Sequence, residues 1–202
     1  MPQGKITTMP DDGLTTRQRR AQPLLIVHTG DGKGKSTAAF GMALRAWTAG
    51  WPIGVFQFTK SPKWKSGEEA ALKSLGGVHE SSGQGAPVTW HKMGEGWSWL
   101  RTQPADHERA ARAGWEQEKL DLAAERYRLL ILDEFTYPVS NGTLDVADVL
   151  ATLAARPGTQ HVVITGRRAH PDLVAAADLV TEMTKIRHPM DAGRKGQAGI
   201  EW

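Results

Sequence analysis

The sequence contains no cysteine and no hydrophobic run long enough to cross a membrane. The missing cysteines exclude disulfide bonds, thiolate metal sites and cysteine nucleophiles. The net charge is only +3, which is too small to indicate a nucleic-acid-binding surface by itself. The N-terminus carries scattered basic residues but lacks the apolar core of a signal peptide. These absences favour a cytoplasmic protein that binds neither a membrane nor nucleic acid.

The remaining composition is typical of a globular protein, since 40% of the 202 residues are hydrophobic and 23% are charged. Residues 1–22 are polar and rich in Pro and Asp, and we expect a flexible N-terminal arm there. This arm is either a disordered tail or a segment that orders on a partner or ligand. Residues 23–202 are long enough to form one domain with a substantial core.

Short apolar runs alternate with helical patterns along this domain, which predicts a parallel sheet with helices on both faces. The fold is therefore expected to be a three-layer α/β, P-loop NTPase-like fold with a mostly parallel central sheet. Residues 61–100 are predicted to be irregular, with a helical piece at 68–75 followed by glycine-rich loops. The predicted strands are residues 24–27, 53–58, 129–132, 161–164 and 179–186.

A glycine-rich octapeptide, Thr29 to Ser36, follows the first predicted strand and opens the first predicted helix. Such a loop surrounds phosphate oxygens with backbone N–H groups, and the helix N-terminus adds positive potential. Lys35 is expected to neutralise phosphate charge, and the Ser36 hydroxyl to ligate Mg²⁺. The usual pattern has glycine at position 29, so this is a variant P-loop. The residues predicted to bind the nucleotide here are Gly30, Asp31, Gly32, Lys33, Gly34, Lys35, Ser36 and Thr37.

Ligands of such sheets bind beyond the carboxyl ends of the strands, where several other polar residues fall. Asp133 and Glu134 follow the strand 129–132, at the place where P-loop proteins hold magnesium. We expect them to coordinate Mg²⁺ with Ser36, and favour Glu134 as the direct ligand. Arg167 is a candidate for binding phosphate. Gln57 and Lys60, at the end of the second strand, complete the predicted nucleotide site.

Two tryptophans, Trp97 and Trp99, stand in a segment flanked by glycines and a glutamate. Residues two apart lie on the same side of an extended chain. The composition favours a mobile loop with exposed aromatic side chains over a core strand. Such a pair suits a flat apolar ligand or a nucleobase.

Together these motifs resemble the P-loop family of ATP:corrinoid adenosyltransferases, whose loop characteristically lacks the first glycine of the general pattern. The resemblance covers residues 24–202. The segments that carry it are residues 30–36, 55–60, 132–137, 164–172 and 188–200.

The resemblance implies a transferase that moves the 5′-deoxyadenosyl group of ATP to the Co(I) of a corrinoid and releases triphosphate, in adenosylcobalamin synthesis or salvage. ATP, Mg²⁺ and a corrinoid (cobalamin or a precursor) are the expected cofactors and substrates. Lys33 and Lys35 would stabilise the departing triphosphate, and Arg45 would lie near the nucleotide sugar. The resemblance further implies a homodimer that receives electrons from a reduced flavoprotein.

In this family an aromatic pair matching Trp97 and Trp99 closes against the lower face of the corrin ring. Closure displaces the axial base and leaves four-coordinate cobalt. Loss of a donor ligand destabilises Co(II) relative to Co(I), which makes reduction easier. The resemblance therefore assigns these two tryptophans a role in catalysis.

Two alternatives from other classes stay open on the residues alone. A P-loop NTPase or small-molecule kinase would convert ATP to ADP. A recombinase-like ATPase would stack nucleic-acid bases on the tryptophan segment, although the weak net charge counts against it.

Overall fold

The computed structural model describes residues 12–60, 65–93 and 104–201. Their six strands are β1 Leu25–Thr29, β2 Ile53–Gln57, β3 Val88–Lys92, β4 Leu129–Asp133, β5 His161–Thr165 and β6 Leu179–Glu182. They form one sheet in the order β3-β2-β4-β5-β1-β6, and every neighbouring pair is parallel. This arrangement confirms the predicted α/β fold with a parallel central sheet.

Seven α-helices and one 3₁₀ helix lie in the described ranges. They are α1 Thr16–Arg20, α2 Lys35–Thr48, α3 Gly67–Ser82, α4 Pro104–Ala123, α5 Thr136–Ser140, α6 Val146–Ala155, α7 Pro171–Ala176 and the 3₁₀ helix Pro189–Ala192. Local sequence explains several ends. The Ser66 side chain accepts the Glu69 N–H at the start of α3 at 3.2 Å, and Pro171 opens α7.

The core consists of two layers, one on each face of the sheet. Alternate residues of β4 point to opposite layers: Leu130 and Leu132 belong to one cluster, and Leu129 and Ile131 to the other. The first layer contains Trp115 of α4 together with apolar residues of α6 and α7, and the second contains residues of α2 and α3. Because both faces of β4 are covered, its sequence is a continuous apolar run.

The prediction of irregular structure over residues 61–100 is wrong in its middle part. Helix α3 continues to Ser82, and Val88–Lys92 forms β3, which pairs with β2 at the edge of the sheet. Every residue of β3 is only half-buried, and the strand mixes Val, Thr and Trp with His and Lys. An edge strand of this kind has neither an apolar run nor a clean alternation, so the pattern did not reveal it. The final strand is also shorter than predicted, since β6 ends at Glu182.

The short helix α1 lies within the predicted N-terminal arm. Thr15 and Gln18 form a capping box at its start, and none of its residues is buried. The arm and the boundary at residue 22 stay predictions. Within the described ranges, no helix combines the length and apolar character that crossing a membrane requires.

Candidate nucleotide-binding site

The glycine-rich loop joins β1 to α2 and has the backbone geometry that its glycines permit. Gly30 and Gly34 adopt left-handed conformations, with φ of 93° and 108°. The Gly32 N–H donates to the Met183 carbonyl at 2.6 Å. A Cβ atom on Gly32 would lie 2.6 Å from that carbonyl oxygen and 2.8 Å from the Thr184 oxygen. The loop therefore packs directly against the segment that follows β6.

Lys35 lies at the centre of the loop. Its ammonium group donates to the carbonyl oxygens of Gly30 and Gly32, at 2.8 and 2.6 Å. Burial lowers the pKa of Lys35. Lys33 is more exposed and forms an ion pair with Glu201. Two lysines thus flank the loop, one inside it and one held by the C-terminal segment.

Asp133 ends β4 and is fully buried. One carboxylate oxygen accepts hydrogen bonds from the hydroxyls of Ser36 and Thr165, at 2.6 and 2.7 Å. The other accepts one from the Gln57 amide at 2.9 Å and lies 3.6 Å from the Lys60 ammonium. Both oxygens of Asp133 are therefore already occupied by protein donors.

Glu134 has a different environment. It adopts a left-handed φ of 60°, and its N–H donates to the Thr165 hydroxyl at 3.0 Å. Its Oε2 atom is buried without a hydrogen-bond partner. Burial, followed by the neighbouring Asp133, raises the pKa of Glu134 to about 7. A cation would remove both of these penalties.

The oxygen atoms gathered here fit Mg²⁺. This ion takes one or two carboxylates, keeps several waters and shares substrate phosphates. Glu134 supplies a carboxylate oxygen without a partner, and Ser36 supplies a hydroxyl beside the acid pair. The described residues contain no group of three or more His, Asp or Glu side chains suited to a metal, so a site made of protein ligands alone is not found there.

Arg167 faces the loop from the end of β5. Its guanidinium lies 3.2 Å from the Asp31 carboxylate, and its backbone carbonyl accepts a hydrogen bond from the Thr136 hydroxyl at 2.7 Å. The Thr29 hydroxyl accepts the Ala169 N–H at 3.1 Å. The threonine in place of the usual glycine therefore ties the nucleotide loop to the segment that carries Arg167.

Not every predicted site residue joins this group. Thr37 is exposed in the first turn of α2, and Arg45 is exposed ten residues beyond Lys35, about 15 Å along the helix axis. Trp97 and Trp99 lie outside the described residues.

Thr165 and Trp90 belong to the site but were not among the predicted residues. Thr165 bridges Asp133 and Glu134, and the Trp90 indole N–H donates to Gln57 at 3.2 Å. A polar residue ending an apolar strand was the available signal for Thr165. Trp90 had none, because its strand was not predicted.

A phosphate-binding loop between a parallel strand and a helix, with an acidic pair on a strand two positions away, defines a P-loop nucleotide-binding protein. The sequence profile described as ATP:corrinoid adenosyltransferase BtuR/CobO/CobP matches residues 21–202. The chain belongs to this family. It is an enzyme that transfers an adenosyl group from ATP to a corrinoid, as predicted, and the alternative of an NTPase or kinase is not favoured.

Individual relatives agree with this assignment. A corrinoid adenosyltransferase from Pseudomonas aeruginosa is 40% identical over 95% of this chain and 89% of its own length. Corrinoid adenosyltransferase CobA from Salmonella typhimurium is 38% identical over 95% of this chain and 91% of its own. Among solved structures, the flagellar accessory protein FlaH from Methanocaldococcus jannaschii matches with a TM-score of 0.49 and 12% identity, over 80% of this chain and 72% of that one.

Proposed function

We propose that the enzyme binds ATP at the loop 29–36 and releases its triphosphate intact when the corrinoid is alkylated. The Co(I) electron pair attacks the 5′ carbon of the ribose. The bond from that carbon to oxygen breaks, and its electrons leave with the triphosphate. This reaction needs no protein nucleophile, so the protein would act by positioning and by stabilising the leaving group. The observation that carries the proposal is Lys35 inside the glycine-rich loop, facing the acid pair.

Charge near the loop suits a triphosphate that departs. Four cations, Lys33, Lys35, Lys60 and Arg167, lie near three carboxylates of Asp31, Asp133 and Glu134, as their mutual electrostatic effects and ion pairs indicate. Cations held in place before the reaction stabilise developing negative charge without reorganisation. In this proposal Lys35 and Lys33 contact the triphosphate, and Arg167 reaches it when its bond to Asp31 is released.

When bound, Mg²⁺ would neutralise part of the triphosphate charge. Ser36 and Glu134 would hold it, because the hydroxyl and the unpartnered Glu134 oxygen lie on either side of Asp133. Asp133 would accept hydrogen bonds that orient the Ser36 hydroxyl and would not need to touch the ion. Gly30 to Thr37 would supply backbone donors to the phosphates.

The corrinoid would lie beyond the carboxyl edge of the sheet. Strand β3 ends at that edge, so the chain enters the segment containing Trp97 and Trp99 from the nucleotide side. In this proposal the two tryptophans close on the lower corrin face, as the family resemblance implies. Arg45 near the sugar, a homodimer, a reduced flavoprotein donor and a cytoplasmic location are carried over from the sequence as further proposals.

One incubation tests the proposed reaction. Reduced cobalamin, ATP and Mg²⁺ are combined without oxygen, and the products are separated. We expect adenosylcobalamin and intact triphosphate in equal amounts. Formation of ADP without alkylation of cobalt would contradict the proposal and return the NTPase or kinase alternative.

A further inference from the structure

Gln57 ends β2, and its side chain is completely buried. Its amide nitrogen donates to Asp133 at 2.9 Å, and its amide oxygen accepts the Trp90 indole N–H at 3.2 Å. Both ends of the amide are therefore engaged within the protein. A fully buried group with no unused end is poorly suited to contact a nucleotide directly, although the sequence had assigned it to that role.

The chemistry of the two partners determines which way the amide points. The Trp90 indole is a donor only, so it must face the amide oxygen. An ionised carboxylate is an acceptor only, so Asp133 must face the amide nitrogen. Trp90 thus selects the one orientation of Gln57 that gives Asp133 a donor, and the opposite orientation would place two oxygens against each other.

Asp133 needs this donor because it holds the Ser36 hydroxyl at 2.6 Å from its other oxygen. A buried carboxylate with fixed donors on both oxygens cannot rotate about its terminal bond. The Ser36 hydroxyl is then aimed from β4, and its direction depends on a chain of contacts reaching the edge strand β3. Trp90 is itself held by stacking on Phe40 of α2, with ring centroids 5.2 Å apart.

We propose that Gln57 and Trp90 are positioning residues that orient Asp133, and through it Ser36, for binding of the magnesium–ATP complex. This inference rests on the proposed function of the loop. It assigns a role in nucleotide binding to a tryptophan on the edge strand, two strands away from Asp133, and it moves Gln57 from direct contact with the nucleotide to indirect support.

The test measures ATP affinity by calorimetry at several Mg²⁺ concentrations, without corrinoid. Gln57→Met removes both hydrogen bonds, and we expect ATP affinity to fall by about 10- to 100-fold at limiting Mg²⁺. Trp90→Phe keeps the stacked ring but removes the indole donor, and the expected loss is about 2- to 10-fold. The double variant should be no weaker than Gln57→Met alone, because both act on one contact chain.

Trp47→Phe is the matched control. The Trp47 indole N–H also makes a 3.2 Å hydrogen bond, to the Leu75 carbonyl, and its ring packs against the same core layer as Trp90. Its loss changes a tryptophan without touching Asp133, so ATP affinity and its Mg²⁺ dependence should equal those of the wild type. The unfolding midpoint of each variant in urea separates lost binding from lost folding.

Three results would overturn the inference. Gln57→Met binding ATP normally would exclude positioning, and Trp90→Phe behaving like Trp47→Phe would favour direct contact by Gln57. An additive loss in the double variant would show two independent roles. If Gln57→Met does not fold, the comparison of Trp90→Phe with Trp47→Phe decides. If the wild-type chain fails to bind ATP, the proposed function itself is wrong and this inference falls with it.

Discussion

Lys35 is the residue whose side chain is most deeply built into the nucleotide loop. Replacing it with alanine removes a cation from the phosphate site and two hydrogen bonds that hold the loop carbonyls of Gly30 and Gly32. We expect Lys35→Ala to weaken ATP binding about 100-fold, since hydrogen bonds from charged groups contribute about 1.5–3 kcal/mol each. Equilibrium dialysis with ATP measures this. Lys73→Ala, on an exposed face of α3, is the control, and unchanged ATP affinity in Lys35→Ala would contradict the P-loop assignment.

Glu118 on α4 predicts a pH dependence of stability that is unrelated to the nucleotide site. It is completely buried, and neither side-chain oxygen has a hydrogen-bond partner. Burial, with a contribution from Asp121, raises the pKa of Glu118 from 4.5 to about 9. The folded chain therefore keeps a proton that the unfolded chain has lost between these two values. The free energy of unfolding should fall as pH rises through this range.

Replacing this acid with its neutral isostere should remove that dependence. We expect Glu118→Gln to make the slope of unfolding free energy against pH less negative by about 1.4 kcal/mol per unit between pH 5 and pH 8. Urea unfolding at each pH measures the slope. Glu116→Gln, on the solvent side of the same helix, should leave the slope near the wild-type value. An unchanged slope in Glu118→Gln would mean that this acid is ionised in the folded protein.

Helix α2 carries a prediction at the scale of an element. Gly41 lies in its interior, and a Cβ atom added there would meet nothing within 4 Å. Gly41→Ala should stabilise the protein by about 0.5–1 kcal/mol, because alanine loses less backbone entropy in a helix. Gly32→Ala in the preceding loop should do the opposite, since its Cβ would press on the Met183 carbonyl. Thermal unfolding of both variants distinguishes these outcomes, and destabilisation by Gly41→Ala would contradict the first.

The elements also differ in how well the sequence predicted them. Strands β4 and β5 were evident because both of their faces are buried, which requires an unbroken apolar run. Strand β3 was missed because an edge strand is half-buried and mixes residue types. Helix α5 was missed because Thr136–Ser140 is a single turn that contains a proline and lies between the acid pair and α6. Tertiary contacts stabilise these two elements more than local sequence does.

At the scale of the whole molecule, the enzyme must combine a nucleotide site with a corrinoid site. The residues assigned to the second site by resemblance, Trp97 and Trp99, lie outside the described residues. We predict that Trp99→Ala slows reduction of bound Co(II) but spares adenosylation of chemically pre-reduced Co(I), because the substitution removes lower-face closure and leaves the loop intact. The two rates are measured with the same protein preparation. Equal loss in both assays would contradict the assigned role.

The sequence by itself determined the parts of this protein that depend on neighbouring residues. The variant P-loop, the acid pair after β4 and the apolar strands all follow from local spacing, and they were sufficient to indicate the family. Only the tertiary structure decided how these parts are used. Asp133 is occupied by three donors while Glu134 keeps an unpartnered oxygen, and Lys33 meets Glu201 across 168 positions of sequence. The physical reason is that such contacts depend on the order of the strands in the sheet, which brings together side chains that no local pattern connects.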